Sequence, residues 1–175
     1  MDTRNTDADL EWAAVDFHDL VQSASNTELR APTNGTKWTN KQLLFHMLFG
    51  FLLVRALLGL VKALGRLPDR VSGVLAAILD AGARPFHFIN YLSALPGGTL
   101  LSGHTMGTLM DRTIGRMRAN LAHESDATLA LTMHFPTGWD PYFKAVMTVA
   151  DVYNYPTLHY RHHRRQLTIS RATNT

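Results

Sequence analysis

The chain has no cysteine among its 175 residues. That absence removes disulfides, thiolate metal ligands and a cysteine nucleophile, so any metal must be held by His, Asp, Glu or water. An apolar secretion signal is also missing: Met1-Asp2-Thr3-Arg4-Asn5-Thr6-Asp7 is polar throughout, and a cytoplasmic protein is expected. Charge is scarce at 18% and nearly balanced, with 17 Lys+Arg against 14 Asp+Glu. The basic excess comes largely from Arg161, Arg164, Arg165 and Arg171, where arginines complement the end of a helix. No aromatic-rich RNA signature, zinc-finger spacing or helix-turn-helix pattern accompanies them, so a nucleic-acid partner is not expected. At 46% hydrophobic the chain can build one core and is short for two. Residues 1–175 are therefore read as one domain.

What the sequence does contain is a long apolar run from Leu43 to Leu64, about 20 residues, the length of a membrane span. It carries His46, Arg55 and Lys62, however, and central cations are costly in lipid. At about 100° per residue Arg55 and Lys62 fall on one side, and His46, Leu53, Leu57, Leu60 and Leu64 on the other. A two-sided helix of a soluble core is expected, with no membrane partner. Leu44, Phe51 and Leu58, on the side away from His46, also need cover. Thr39 with Gln42 forms a capping box, Trp38 can staple onto Leu43, and Gly65 with Pro68 supplies the stop. The spacing predicts a helix from Asn40 to Gly65.

Leu10, Ala13, Phe17, Leu20 and Val21 recur at helical spacing and predict a first helix over Asp9–Ser25, followed by a loop over 26–37. Met106, Met110, Ile114, Met117 and Leu121 mark a third long helix, opened by Ser102 or Thr105 and ending near His123. Between these, 71–98 is an insertion or lid with one or two short helical pieces broken by Gly82, Pro85 and Pro96-Gly97-Gly98. Its Phe86, Phe88, Ile89, Tyr91 and Leu92 need a surface to pack on. Thr128–Met133 has the composition of a short extended stretch. Thr148 with Asp151 opens a last helix at Val149, which is expected to reach Thr168 with a kink at Pro156. The fold class is all-α.

Of nine histidines, His159 and His163 lie one helical turn apart, a spacing at which two imidazoles can converge on one ion. His163, Gln166, Val152 and Tyr155 share the arc of His159, whereas Arg161, Arg164 and Arg165 point elsewhere. His162 lies toward the edge of that arc and is the competitor to His163. A third imidazole, His46, sits on an apolar face of another helix, where an unpartnered polar group costs about 1–3 kcal/mol. One histidine on one core helix and a helical pair on another is how a bundle builds a metal site.

Trp38-Thr39-Asn40-Lys41-Gln42-Leu43-Leu44-Phe45-His46, with His159-x-x-x-His163-x-x-Gln166-Leu167 far downstream, resembles the DinB-like superfamily of metal-binding four-helix-bundle proteins, which includes the YfiT-type thiol S-transferases. Pro156 and Arg165 depart from the usual pattern. The resemblance implies up-down-down-up connections, a divalent metal on His46, His159 and His163, and commonly a homodimer. It further implies a low-molecular-weight thiol as cosubstrate, in an S-transferase or a thiol-dependent isomerase.

Three neutral imidazoles leave the ion's charge uncancelled and a position open, and zinc and nickel both suit such ligands. The expectation is a metal-dependent enzyme acting on a small molecule through a metal-activated thiolate, with Gln166 orienting it and Tyr155 or Asp151 as a nearby polar group. Trp139, Asp140 and Tyr142 could line the entrance, although an ordinary turn anchored by an aromatic is the preferred account. The alternatives are a non-catalytic metal- or ligand-binding protein of the same fold, a metal-dependent hydrolase, and an interaction protein whose histidines are merely core or surface residues.

Overall fold

Short polar motifs start most of the helices. The computed structural model describes residues 3–170, apart from the side chains of residues 86–88, 93 and 97. In chain order its elements are α1 (Thr3–Ser23), α2 (Asn26–Arg30), α3 (Asn40–Leu64), α4 (Asp69–Ala81), α5 (Ala83–Leu100), α6 (Gly103–His123), α7 (Asp126–Leu129), β1 (Thr132–His134), β2 (Val146–Thr148) and α8 (Val149–Arg164). The Thr39 side chain accepts from Gln42 N while Gln42 accepts from Thr39 N, so two orphan donors at the start of α3 are satisfied reciprocally. Thr148 and Asp151 do the same for α8, and Ser102, rather than Thr105, caps α6. A further box, Ser25 with Glu28, starts α2 inside the stretch expected to be a loop.

Four long helices make the bundle, and pair contacts fix their directions. Asp7 meets Arg118 and His18 meets Asp111, so α1 and α6 are antiparallel. His46 meets His163 and Gly50 meets His159, so α3 and α8 are antiparallel as well. Asp9 with Arg161 and Asp16 with Arg164 place α1 parallel to α8. Lys62 Nζ, 2.8 Å from Glu124 Oε1, joins the C-terminal ends of α3 and α6. The order is up-down-down-up. Phe17, Leu44, Leu48, Phe51, Met106, Met110, Met117, Tyr153 and Tyr160 fill the centre with essentially no exposure.

Parallel neighbours cannot be joined by a tight turn, and α4 with α5 carries the chain back from the end of α3 to the start of α6. The 71–98 segment is thus two helices that span the bundle. Pro85 falls in the first turn of α5, where no backbone bond is lost. Pro96-Gly97-Gly98 does not break α5, because packing on α3 holds the helix through the single missing N–H. Gly98 is there for proximity: a Cβ would lie 2.7 Å from Gln42 Cα. Trp38 Nε1 donates to Tyr91 O at 3.3 Å, tying the same helix to the residue before the α3 cap. The side chains of Phe86 and Phe88, and Arg171, lie outside the described residues.

Three further expectations need correction. First, the buried side of α3 is Leu44, Met47, Leu48, Phe51, Val54, Leu58 and Val61, whereas Leu53, Leu57 and Leu60 are 38%, 42% and 52% exposed. The side bearing Lys62 faces the core, where its charge is neutralised by Glu124, and the leucines beyond His46 face a cavity instead. Among the described residues α3 alone is long and apolar enough to cross a membrane by length and composition, and here one side of it forms a wall of the bundle. Second, 128–133 is not one extended stretch: α7 ends at Leu129, and β1 pairs antiparallel with β2, Met133 opposite Met147. Third, α8 stops at Arg164 rather than Thr168. The tail is held by other partners, with Thr168 N donating to Asn40 Oδ1 at 3.0 Å and Asn34 N to Gln166 O at 2.8 Å. The helix itself is continuous through Pro156.

Asp16 is 4% exposed and accepts from Tyr160 Oη and Arg164 Nε, both at 2.8 Å, tying α1 to α8. Removing this buried acceptor breaks both bonds, so Asp16→Ala is expected to lower unfolding free energy by about 3 kcal/mol in urea titration. Asp16→Asn, which keeps one acceptor, should cost less.

Candidate metal centre

Antiparallel packing of α3 on α8 determines which residues meet at mid-bundle. From α8 come His159 and His163; from α3 comes His46. Nε2 of His159 lies 3.2 Å from Nε2 of His46 and 3.2 Å from Nε2 of His163. The ring of His159 fits because its neighbour on α3 is Gly50, where a Cβ would approach Nδ1 to 3.3 Å. Trp38 lies over His46 with ring centroids 4.6 Å apart. It covers the site as well as preceding the helix cap.

Gln166 lies just past the end of α8, and its own N–H bonds to His163 O at 2.9 Å. That turn brings Gln166 Oε1 to 2.6 Å from His163 Nδ1. With the Nδ1 proton donated to Gln166, the Nε2 lone pair of His163 points at the other two rings. Gln166 therefore orients a histidine. His46 Nδ1 and His159 Nδ1 are buried and have no hydrogen-bond partner among the described residues.

Burial and mutual repulsion keep all three rings neutral. The pKa of His46 is lowered to about 3, chiefly by burial and then by His163. That of His159 is pushed well below the ordinary value by burial and by the neighbouring histidines. His163 is lowered by burial, partly opposed by its bond to Gln166. Neutral imidazoles are the ligand form, so no proton need be displaced before a cation binds near pH 7.

Three converging Nε2 atoms cannot satisfy one another, since each contact needs one donor and one acceptor. A shared cation satisfies all three. The 3.2 Å spacings suit it, because ligands at the about 2.0–2.1 Å of a Zn–N bond sit roughly 3.3 Å apart in a tetrahedral site. Among the described residues His46, His159 and His163 form the cluster that could hold a metal ion, their donor atoms lying within 4.8 Å of one another.

Asp140 was the residue undervalued in the sequence. Its Oδ2 is 3.7 Å from His159 Nε2 and accepts from Tyr155 Oη at 2.9 Å. Burial and the Asp140 charge raise the pKa of Tyr155, so its phenol stays a donor. The turn that carries Asp140 is anchored at long range, Gly138 N donating to Asp80 Oδ1 at 2.9 Å and Trp139 Nε1 to Leu79 O at 2.8 Å. A carboxylate in the loop before the histidine helix was its one signal in the sequence.

His162 turns away from the cluster and meets Tyr142, Nδ1 to Oη 3.2 Å. Asp151 caps α8 and pairs with Lys144, outside the site. His46, His159, Asp140 and Tyr155 line one cavity of about 190 Å³, whose remaining walls are almost wholly apolar.

The sequence profile of the DinB superfamily matches residues 9–167. No curated protein matches the chain. Among solved structures, YfiT from Bacillus subtilis is similar, with a TM-score of 0.68 at 15% identity over 95% of this chain and 83% of that one. YfiT is described as a probable metal-dependent hydrolase with an unusual four-helix bundle topology.

His46 is neutral when folded and takes up a proton near pH 6.5 when unfolded, so its contribution to stability is lost as pH falls below that value. In metal-free protein the urea midpoint should fall below pH 6.5, and the stability difference between parent and His46→Gln should shrink over the same range. A difference independent of pH would contradict a buried neutral His46.

Proposed function

The chain belongs to the DinB superfamily, and from that footing we propose that it is a metal-dependent enzyme acting on a small molecule. The observation that carries this reading is the cluster of three neutral imidazole nitrogens, two of them, His46 and His159, lining a cavity that also holds a carboxylate, Asp140. His46, His159 and His163 would hold a divalent ion, zinc or nickel, and Gln166 would fix the tautomer of His163. When bound, the ion supplies charge that acidifies a nucleophile and polarises an electrophile.

The rest falls to side chains of this chain. Asp140 Oδ2 is placed to receive a proton from a nucleophile beside His159, and Tyr155 holds that carboxylate in position through its own hydroxyl. The apolar walls exclude water and strengthen these charge interactions. Because the chain has no thiol, a sulfur nucleophile must come from a cosubstrate. Transfer of a low-molecular-weight thiol to an electrophile is the leading reaction. Asp140 favours a second reading, with water as the nucleophile and hydrolysis as the outcome, since a carboxylate base serves either proton donor.

Tag-free protein should take up one zinc or nickel ion per chain, and His46→Ala, His159→Ala and His163→Ala should each lose it. Gln166→Ala should weaken metal binding by about 10–100-fold and keep turnover at saturating metal. Failure of the parent to bind either ion at micromolar concentration would end the proposal. Incubating loaded protein with electrophiles in the presence and absence of small thiols then separates the reactions. A thioether product that needs the thiol indicates transfer; product formed without thiol, carrying ¹⁸O from labelled water, indicates hydrolysis.

A further inference from the structure

The cavity beside the histidines has a shape that narrows the substrate. It follows one face of α3, where His46, Gly50, Leu53, Leu57, Leu60 and Leu64 line it. Opposite this wall stand Leu75 and Leu79 of α4, Met133 and Met147 of the hairpin, and Phe135 and Phe143. His46, His159, Asp140 and Tyr155 gather polar groups at the histidine end, and Asn90 and His134 are the further polar liners. Among the described residues no Lys or Arg lines the cavity. Nothing among them compensates an anion, and Asp140 repels one.

Size gives a second constraint. An engineered cavity of roughly 150 Å³ lined by Leu, Ile and Phe stays dry and binds benzene. The volume here, about 190 Å³, admits a somewhat larger apolar group. Its elongation along α3 favours a chain over a ring.

We infer that the cavity binds an uncharged aliphatic chain of medium length, about eight carbons, as the tail of the substrate, with the reacting head beside Asp140 and His159. The inference rests on the proposed enzyme reading for the role of the head. It does not rest on a bound metal for the tail. The polar cluster at one end and apolar walls along the rest distinguish a substrate channel from a face awaiting a protein, which would carry no such polar terminus.

The test is calorimetric titration of metal-free, EDTA-treated protein with n-alkanols from butanol to decanol, and with octanoate. Kd should fall about fourfold per added methylene, the equivalent of ~0.8 kcal/mol each, and level off near octanol as the cavity fills. Octanoate should bind at least tenfold more weakly than octanol. Leu57→Glu and Leu60→Glu, both at partly exposed positions that leave the core intact, should each weaken octanol at least tenfold.

Binding that ignores chain length, or that is unchanged in both variants, would overturn the inference. So would light scattering that shows both variants turning a dimer into a monomer while the parent takes up no alkanol, since the leucines would then face a second copy. Because the titrations contain no metal, a protein that binds alkanols but no zinc or nickel would refute the enzyme reading alone. One that binds metal but no alkanol would refute the tail alone.

Discussion

Everything at the site depends on the register between α3 and α8. Two contacts set it. At one end Asn40 grips the tail, its side chain donating to Thr168 Oγ1 at 2.7 Å while accepting from Thr168 N at 3.0 Å. At mid-bundle Gly50 leaves room for the imidazole of His159. A shift of one turn along α3, about 5.4 Å, would separate His46 from both partners and strand the buried rings of His46 and His159. Neither contact involves a charge, so the alignment is insensitive to salt where the surface ion pairs are not.

The same register explains the accessory helices. Because α3 descends beside α8 and α6 descends beside α3, the chain must climb the whole bundle between them. α4 and α5 do this, and their course does more than connect. Leu75 and Leu79 face the leucines of α3 across the cavity, and Asp80 and Leu79 hold the turn that carries Asp140. A topological necessity therefore supplies both a wall and the anchor of the carboxylate beside His159. In an up-down bundle with short loops neither would exist.

How much of this was legible depended on whether the signal was local. Thr39 with Gln42, Thr148 with Asp151 and Ser102 each mark a helix start within four residues, and the structure uses all three. The four-helix fold followed from such marks together with the resemblance at His46 and His159. Long-range effects were not legible. The wheel of α3 has two apolar sides, and periodicity cannot say which is core; the choice between the line of Leu44, Phe51 and Leu58 and the line of Leu53, Leu57 and Leu60 is made by α6 and α8. The end of α8 carries no glycine, because Asn34 and Asn40 stop it from outside the helix. Asp140 reads as an ordinary turn residue until Asp80 and Leu79, some sixty positions earlier in the chain, bring that turn to the histidines.

The division of α3 into two apolar sides has an evolutionary meaning. Phe51, Leu58 and their neighbours hold the bundle together, and most substitutions there cost stability. Leu53, Leu57 and Leu60 are partly exposed and carry little of that load. Selection can vary the second set without risking the first, so the lining of the cavity can drift across descendants of this chain while the scaffold and its histidines stay fixed. One helix thus separates what lineages must preserve from what they are free to explore.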